Sequence, residues 1–244
     1  MDNFNRYDSN ELDPVNEQNG LSGLNVNSSS LSSQMTRVYG WMFAGLLITA
    51  FFAYITVNSS LFYLVANGFT LLMLVLVELG LVWFLAARAI KMQYTTAAIS
   101  FVIYSAINGI TLSIVLYAYT LSSVAYVFVI TAVMFGFMSV YGLVTKADLT
   151  SLGSLFFMGL IGLILVSVVN IFLGSTTLGW IISFVGIGLF LGLTAYDTQK
   201  IKHIHATYQG TDKEKNVAIV GALELYLDFI NLFLYILRLL GKRK

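Results

Sequence analysis

The chain has 244 residues, of which 58% are hydrophobic and only 10% are charged, and its mean hydropathy is +0.82. A soluble domain needs about 25% charged residues to cover its surface, so this composition excludes a soluble globular protein. It predicts an all-α membrane protein with several spans. The net charge of +1 gives no reason to expect a nucleic-acid partner, and the lack of Cys excludes disulfides, Cys-bound zinc and thiol catalysis.

The chain begins with a polar segment, residues 1–34, which is rich in Asn, Ser, Asp and Glu and contains the single proline, Pro14. Such a segment cannot bury a core, so we predict a disordered tail followed by a membrane domain at residues 35–244. The tail is either a segment without a defined task or an arm that recognises a partner. No basic region precedes the first hydrophobic run, so no cleavable signal peptide is expected.

Seven hydrophobic runs follow, with lengths suited to helices that cross a bilayer. Most of the links between them are short, which makes sequential neighbours antiparallel. Between the last two runs, residues 197–217 are predicted to form a loop in which His203 and His205 are solvated. The runs are residues 38–57, 61–87, 95–118, 124–145, 152–173, 178–196 and 218–240.

The basic residues predict an orientation. If the loops alternate between two sides, the side of the tail receives all of the 13 Lys and Arg residues except four near the chain's end. Because basic loops face the cytoplasm, the tail is predicted to be cytoplasmic. The four exceptions lie outside if the last run crosses fully, and inside if it re-enters or stops part-way. These residues are Arg238, Lys242, Arg243 and Lys244.

The last run carries a polar stripe that makes it the organising element. Glu224, Asp228 and Asn231 are spaced by four and three residues, so they share one face of a helix. A carboxylate in hydrocarbon costs at least about 2.5–3.5 kcal/mol, so this face must contact other helices or water. We therefore predict that residues 218–240 form a central helix around which the others pack.

Two aspartates form the candidate site. Asp197 is either an interfacial residue paired with Lys200 or part of a buried site, and Asp228 has no basic residue within four positions. The sixth run ends on the side where the last one begins, so the two carboxyls can reach similar depth. Two carboxyls in a dry site hold one proton between them, which predicts a pH-dependent latch. Such a pair has too few oxygens for tight Ca²⁺ binding, so metal contact there is expected to be weak and transient.

The second run adds two further candidates. Glu78 lies deep in this run and is expected to be functional or to pair with a polar group such as Asn108. Arg88 either reaches the tail-side surface or meets a carboxylate from another helix, such as Asp197.

Three stretches carry a family resemblance. They are Ala195-Tyr-Asp-Thr-Gln199, the acidic helix Leu223–Gly241, and Glu78-Leu-Gly-Leu81 with Arg88. Together they resemble the Bax inhibitor-1 family, also called the transmembrane Bax inhibitor motif family. The resemblance implies seven helices, with two three-helix layers around the C-terminal helix.

The resemblance also implies a function and a place. It implies a pH-sensitive Ca²⁺ leak, without a cofactor, gated by Asp197 and Asp228, with Arg88 as a latch to Asp197 and Glu78 near the pore. Glu224 and Asn231 complete the set of latch and pore candidates. A bacterial member would lie in the inner membrane, where a relative resembles a modulator of a membrane-bound protease, and eukaryotic members restrain cell death.

The leading hypothesis is therefore a cation leak channel, with Ca²⁺ and protons as its ligands. An alternative is a non-conducting regulator that binds a membrane protease or a cell-death partner. A third is a proton-coupled carrier that uses Glu78 and Asp228. An enzyme is not expected, because no His lies in a span as a base for Ser and Asp197 is predicted near the membrane edge.

Overall fold

A computed structural model describes residues 28–244, and within that range every regular element is helical. Seven of the helices are long and apolar enough to span a membrane, which confirms the predicted all-α membrane fold. The elements are α1 (Ser28–Val57), α2 (Leu61–Val65), α3 (Gly68–Arg88), α4 (Tyr94–Ala118), α5 (Leu121–Val144), a 3₁₀ turn (Thr150–Leu152), α6 (Gly153–Leu173), α7 (Thr176–Tyr208) and α8 (Glu214–Leu240).

Helix α8 is the centre of the bundle. In its most apolar window 78% of the residues are buried, against 6% for α3 and for α6. On one side α8 packs against α1 and α4, with α3 outside them, and on the other against α5 and α7, with α6 outside them. This arrangement explains why α8 tolerates acidic residues, since protein rather than lipid surrounds it.

Two ends of the bundle can be distinguished. We call the end where α1 begins and α7 ends the tail end, and the opposite end, where α6 meets α7, the far end. The last residues of the chain pair with the α4–α5 turn at the far end: Lys244 N donates to Ala118 O at 3.0 Å, and Thr120 N donates to Lys242 O at 3.0 Å. Helix α8 therefore crosses the whole bundle, and the four basic residues near the chain's end lie at the far end.

The tail-end boundaries differ from those predicted. Helix α1 already begins at Ser28, so residues 28–34 are helical, while residues 1–27 of the predicted tail lie outside the described residues. The predicted loop 197–217 is wrong, because α7 continues to Tyr208 and leaves only residues 209–213 as a turn. Ile201 and His205 are both fully buried and lie one helical turn apart, which extends the packed face of α7.

The second predicted run is divided into two helices. Asn67 adopts an extended conformation between α2 and α3, and its side chain accepts a hydrogen bond from Phe69 N at 3.0 Å. This cap satisfies one of the free N–H groups at the start of α3, so the chain begins a new helix there.

Candidate functional site

Asp197 and Asp228 meet inside the bundle. Asp197 lies on α7 with 9% of its surface exposed, and Asp228 lies on α8 with 4% exposed. The two carboxyl groups lie close enough to interact directly. Because an ionised carboxylate can only accept hydrogen bonds, a hydrogen bond between them would require a proton on one of the two residues. The structure thus brings together the two acids that the sequence singled out.

Lys200 and Glu224 extend this pair towards the tail end. Lys200 Nζ lies 2.6 Å from Glu224 Oε1 and 3.8 Å from Asp197 Oδ1. We call these four residues the acid cluster. It contains three carboxyl groups and one ammonium group, so full ionisation would give −3 + 1 = −2, and one shared proton reduces this charge to −1. One shared proton would therefore reduce the electrostatic repulsion among the three carboxyl groups.

The acid cluster is not fully hydrogen-bonded. Asp228 Oδ2 and Glu224 Oε2 are buried, and neither has a hydrogen-bond partner among residues 28–244. A buried acceptor without a partner costs about 1–3 kcal/mol. These two unpaired oxygens destabilise the acid cluster, and a change of protonation or of helix position can remove this destabilisation.

Small residues bring α7 close enough to form the cluster. A Cβ atom added at Gly142 of α5 would lie less than 3.0 Å from the backbone of Ala195, and one added at Gly221 of α8 would meet the side chain of Ile201. Close helix contacts of this kind depend on residues without bulky side chains. The glycines on α5 and α8 thus hold the segment of α7 that contains Asp197.

The opposite face of α8 carries a different polar group. Tyr226 is fully buried, and its hydroxyl donates to Asn108 Oδ1 at 3.2 Å. The Thr49 hydroxyl lies 2.6 Å from the Tyr226 hydroxyl and donates to the backbone oxygen of Ser105 at 2.9 Å. We call Thr49, Ser105, Asn108 and Tyr226 the hydroxyl network. The sequence alone predicted neither Tyr226 nor Thr49 as part of a site, because no local pattern marks the partner of a buried hydroxyl.

Comparison with known proteins identifies the family. The family profile described as "Inhibitor of apoptosis-promoting Bax1" matches residues 31–244. The inner membrane protein YbhL of Escherichia coli K12 is 44% identical over 220 residues, which cover 88% of this chain and 94% of that protein. An uncharacterized protein of Borreliella burgdorferi is 43% identical over 213 residues, covering 86% and 92%. An uncharacterized membrane protein of Streptococcus pyogenes serotype M1 is 35% identical over 226 residues, covering 87% and 93%.

The chain belongs to the Bax inhibitor-1 family. The matched region contains the seven helices long enough to span a membrane, and the E. coli relative is named an inner membrane protein. The protein is therefore a multi-pass membrane protein of this family.

Not every residue implied by the Bax inhibitor-1 resemblance reaches the acid cluster. Arg88 lies exposed at the end of α3, and within residues 28–244 its side chain makes no ion pair or hydrogen bond. The predicted contact between Arg88 and Asp197 is therefore absent from this structure, and Lys200 is the cation beside Asp197. Asn231 donates to Leu227 O of its own helix at 2.8 Å, so it caps a local carbonyl instead of joining the pair.

Glu78 forms a contact of its own. It is 9% exposed on α3, and Thr111 of α4 donates to its Oε1 at 2.6 Å. The suggested partner Asn108 lies one turn away on α4 and contacts Tyr226 instead. Glu78 thus lies beside the hydroxyl network and apart from the acid cluster in this Bax inhibitor-1 family member.

The prediction that His203 and His205 lie in a solvated loop is wrong. Both lie within α7, where His203 is half-buried and His205 is fully buried. His205 Nε2 lies 3.1 Å from Ser30 Oγ, so this contact ties the first turn of α1 to the end of α7. The hydrophilic residues around His205 are typical of a loop, and they obscured its place on the packed face of the helix.

Proposed function

We propose that this protein is a pH-sensitive leak channel for cations, with Ca²⁺ as the permeant ion and the Asp197–Asp228 pair as its gate. The observation that supports this function is the close approach of two buried carboxyl groups from different helices. Two such groups can share a single proton, and a hydrogen bond through that proton would link the position of α7 relative to α8 to pH.

The protonation state of the Asp197–Asp228 pair would control the gate. When the shared proton leaves, two carboxylates face each other where water is scarce, and their repulsion favours separation of α7 from α8. When both are protonated, neither is an ionised acceptor, and the charge-assisted hydrogen bond is lost. Either change weakens the contact.

The small number of oxygens suits a permeant ion. Among residues 28–244, no group of three or more His, Cys, Asp or Glu side chains is arranged to hold a metal. A passing Ca²⁺ would meet the carboxylates of Asp197 and Asp228, far fewer oxygens than the six to eight of a tight site. Conduction requires weak contacts of this kind, because the ion must also leave.

Ca²⁺ flux into proteoliposomes tests the channel across a range of pH. Asp197→Asn and Asp228→Asn are expected to abolish the pH response, because an amide keeps the size of the side chain but cannot lose the proton. Asp148→Asn is the matched control, since Asp148 is an exposed acid outside the acid cluster. Wild-type flux with an unchanged pH response in both gate variants would contradict the proposal.

We also propose that the tail end faces the cytoplasm. Of the 12 Lys and Arg residues between positions 28 and 244, four lie at the far end and eight at the tail end. This excess agrees with the positive-inside rule. The chain has no Cys, so single cysteines at Arg88 and at Lys244 can be labelled in whole cells. Labelling of the Lys244 position from outside is expected, and labelling of the Arg88 position instead would reverse the orientation.

A non-conducting regulator is the second candidate. It is favoured by the family's description as an inhibitor of apoptosis-promoting Bax1, which names an effect on a partner and not on an ion. Proteoliposomes without Ca²⁺ flux, together with a membrane protease that co-purifies only when residues 1–34 are present, would favour this function over the channel.

A further inference from the structure

The first turns of α1 join the two layers of the bundle directly. Helix α1 packs mainly against α4 and α8, whereas its direct contact with α7 is slight. Two polar contacts at the tail end nevertheless reach the opposite layer. Ser30 contacts α7, and Tyr39 contacts α5.

Tyr39 is connected to α7 through a chain of hydroxyl groups. Its hydroxyl is hydrogen-bonded to Ser139 Oγ of α5, which lies 3.0 Å from Thr198 Oγ1 of α7. Thr198 donates its hydroxyl hydrogen to Thr194 O at 2.7 Å. Since each hydroxyl has one hydrogen, Ser139 must donate to Thr198, and Tyr39 must donate to Ser139. The chain of donors therefore runs from α1 to α7, and it ends at the residue that directly follows Asp197.

A second contact lies two helical turns further along α7. His205 follows Thr198 by seven residues, so the two lie on one face of the helix. His205 Nε2 is 3.1 Å from Ser30 Oγ. Gln34 of α1 donates from Nε2 to Glu214 O, in the first turn of α8, at 3.0 Å. The start of α1 therefore binds both helices that carry the aspartate pair, and we call the contacts of Ser30, Gln34 and Tyr39 the α1 clasp.

The α1 clasp is buried but not fully hydrogen-bonded. Gln34, Thr198 and His205 are fully buried, and Ser139 is 3% exposed. Gln34 Oε1 and His205 Nδ1 nevertheless lack a hydrogen-bond partner among residues 28–244. Buried polar atoms are nearly always paired, and each unpaired one destabilises the arrangement that leaves it so. The clasp is therefore easier to release than a fully hydrogen-bonded contact.

We propose that the α1 clasp is an autoinhibitory contact that holds the end of α7 against α8 and so keeps Asp197 beside Asp228. This inference rests on the proposed channel function, in which α7 separates from α8 when the gate opens. Movement of α7 alone breaks the bond between Ser139 and Thr198. Movement of α7 together with α5 breaks the bond between Tyr39 and Ser139. The clasp therefore opposes opening at every pH, while the two aspartates provide the pH dependence.

Tyr39→Phe tests the clasp, because it removes the hydroxyl and keeps the ring. Loss of one such hydrogen bond changes an equilibrium by a factor of about 2–12. We expect Ca²⁺ flux into proteoliposomes to rise by this factor wherever the wild type is mostly closed, with the pH response retained. Ser139→Ala interrupts the same chain of hydroxyls and should have the same effect. Tyr141→Phe is the matched control, since Tyr141 lies on α5 and is 49% exposed.

Backbone amide exchange provides a measurement that does not depend on conduction. Exchange reports the free energy of local opening, so it follows the attachment of a helix end to its neighbours. In nanodiscs, residues 199–208 at the end of α7 should exchange faster in Tyr39→Phe than in the wild type, by the same factor as the flux. Tyr141→Phe should exchange at the wild-type rate.

Each result decides for or against the clasp. Higher flux and faster exchange in Tyr39→Phe and Ser139→Ala, with Tyr141→Phe unchanged, support it. Unchanged exchange, an equal increase in Tyr141→Phe, or faster exchange without higher flux in a conducting protein overturns it. If neither the wild type nor the variants conduct Ca²⁺ at any pH, the channel proposal fails, and the exchange rates alone decide whether α1 restrains α7.

Discussion

The two faces of α8 hold buried polar groups in contrasting ways. The hydroxyl network joins Thr49, Asn108 and Tyr226 through neutral groups, and none of their buried side-chain atoms in the described structure lacks a partner. The acid cluster on the other face is charged and leaves Asp228 Oδ2 and Glu224 Oε2 without partners. One helix thus presents a satisfied face to α1 and α4 and an unsatisfied face to α7.

This contrast separates a fixed contact from an adjustable one. A satisfied neutral network gains nothing from a change of protonation, so it holds α8 in place against α1 and α4. An unsatisfied charged cluster changes its energy when a proton arrives or leaves. Movement that follows pH is therefore expected between α7 and α8, with the other layer as a fixed support.

The largest effects are expected from two glycines, one behind each face. An added Cβ at Gly109 would lie less than 3.0 Å from Thr49 backbone atoms, and at Gly142 less than 3.0 Å from those of Ala195. Backbone cannot rotate away, so Gly109→Ala and Gly142→Ala should each cost about 1–3 kcal/mol. Thermal unfolding in detergent measures this loss.

Gly136→Ala is the control for both, because its added carbon would meet nothing within 4 Å. If the contrast between the faces is correct, only Gly142→Ala also alters the pH dependence of Ca²⁺ flux. Equal stability of all three variants would show that the close helix contacts are dispensable.

Loss of the Tyr226 hydroxyl should have a smaller effect. Tyr226→Phe keeps the buried ring but leaves Asn108 Oδ1 without its donor, at a cost of about 0.5–1.5 kcal/mol. Tyr141→Phe is the control, since Tyr141 is 49% exposed. The pH response of flux should be unchanged in both variants. A lost response in Tyr226→Phe would place the hydroxyl network inside the gate.

A double-mutant cycle on Lys200 and Glu224 sharpens the description of the charged face. Their side chains are 35% and 23% exposed, so solvent screening should limit the coupling energy to about 0.2–1 kcal/mol. Lys200→Met should also move the pH midpoint of flux upwards, because the ammonium that stabilises the neighbouring carboxylates is gone. An unchanged midpoint would mean that Lys200 is electrostatically separate from the pair.

The smallest effect is expected at Asp148, outside both faces. The Thr150 hydroxyl and backbone N–H donate to Asp148 and hold the pKa of this carboxyl below its ordinary value. A lowered pKa in the folded state stabilises the protein above the ordinary pKa, and this contribution disappears as pH falls through the folded value. Melting temperatures between pH 7 and pH 3 should therefore fall slightly less for Asp148→Asn than for wild type. An identical pH profile would contradict this contribution.

The central helix and its acidic residues were predictable because the pattern that indicates them lies within one short stretch of sequence. Glu224 and Asp228 on an apolar helix require protein around them, and the ends of the hydrophobic runs predicted that Asp197 could reach Asp228. The extension of α7 was not predictable in this way. Between Asp197 and Tyr208 the buried positions Ile201 and His205 stand among Lys200, Lys202, His203 and Thr207, so this stretch has the composition of a loop.

Two features of the site depend on tertiary packing, namely the ion pair between Lys200 and Glu224 and the hydroxyl network. The i, i+3 spacing on α7 already offered Lys200 as a partner of Asp197, whereas only the packing of α7 against α8 brings Lys200 to Glu224. Thr49 meets Tyr226 although 177 positions separate them in the sequence. No short-range pattern encodes such a contact, so a single sequence could not supply it.

The order of exposure along the acid cluster has a consequence for the proposed pH-dependent gate. Asp228 is nearly inaccessible to solvent. Lys200 lies nearer the tail end, and its side chain is 35% exposed. Hydrogen ions would enter and leave by way of Lys200 and Glu224. The protein would therefore respond to the acidity of the compartment at that end alone, and a cell could acidify the opposite compartment without changing the state of the aspartates.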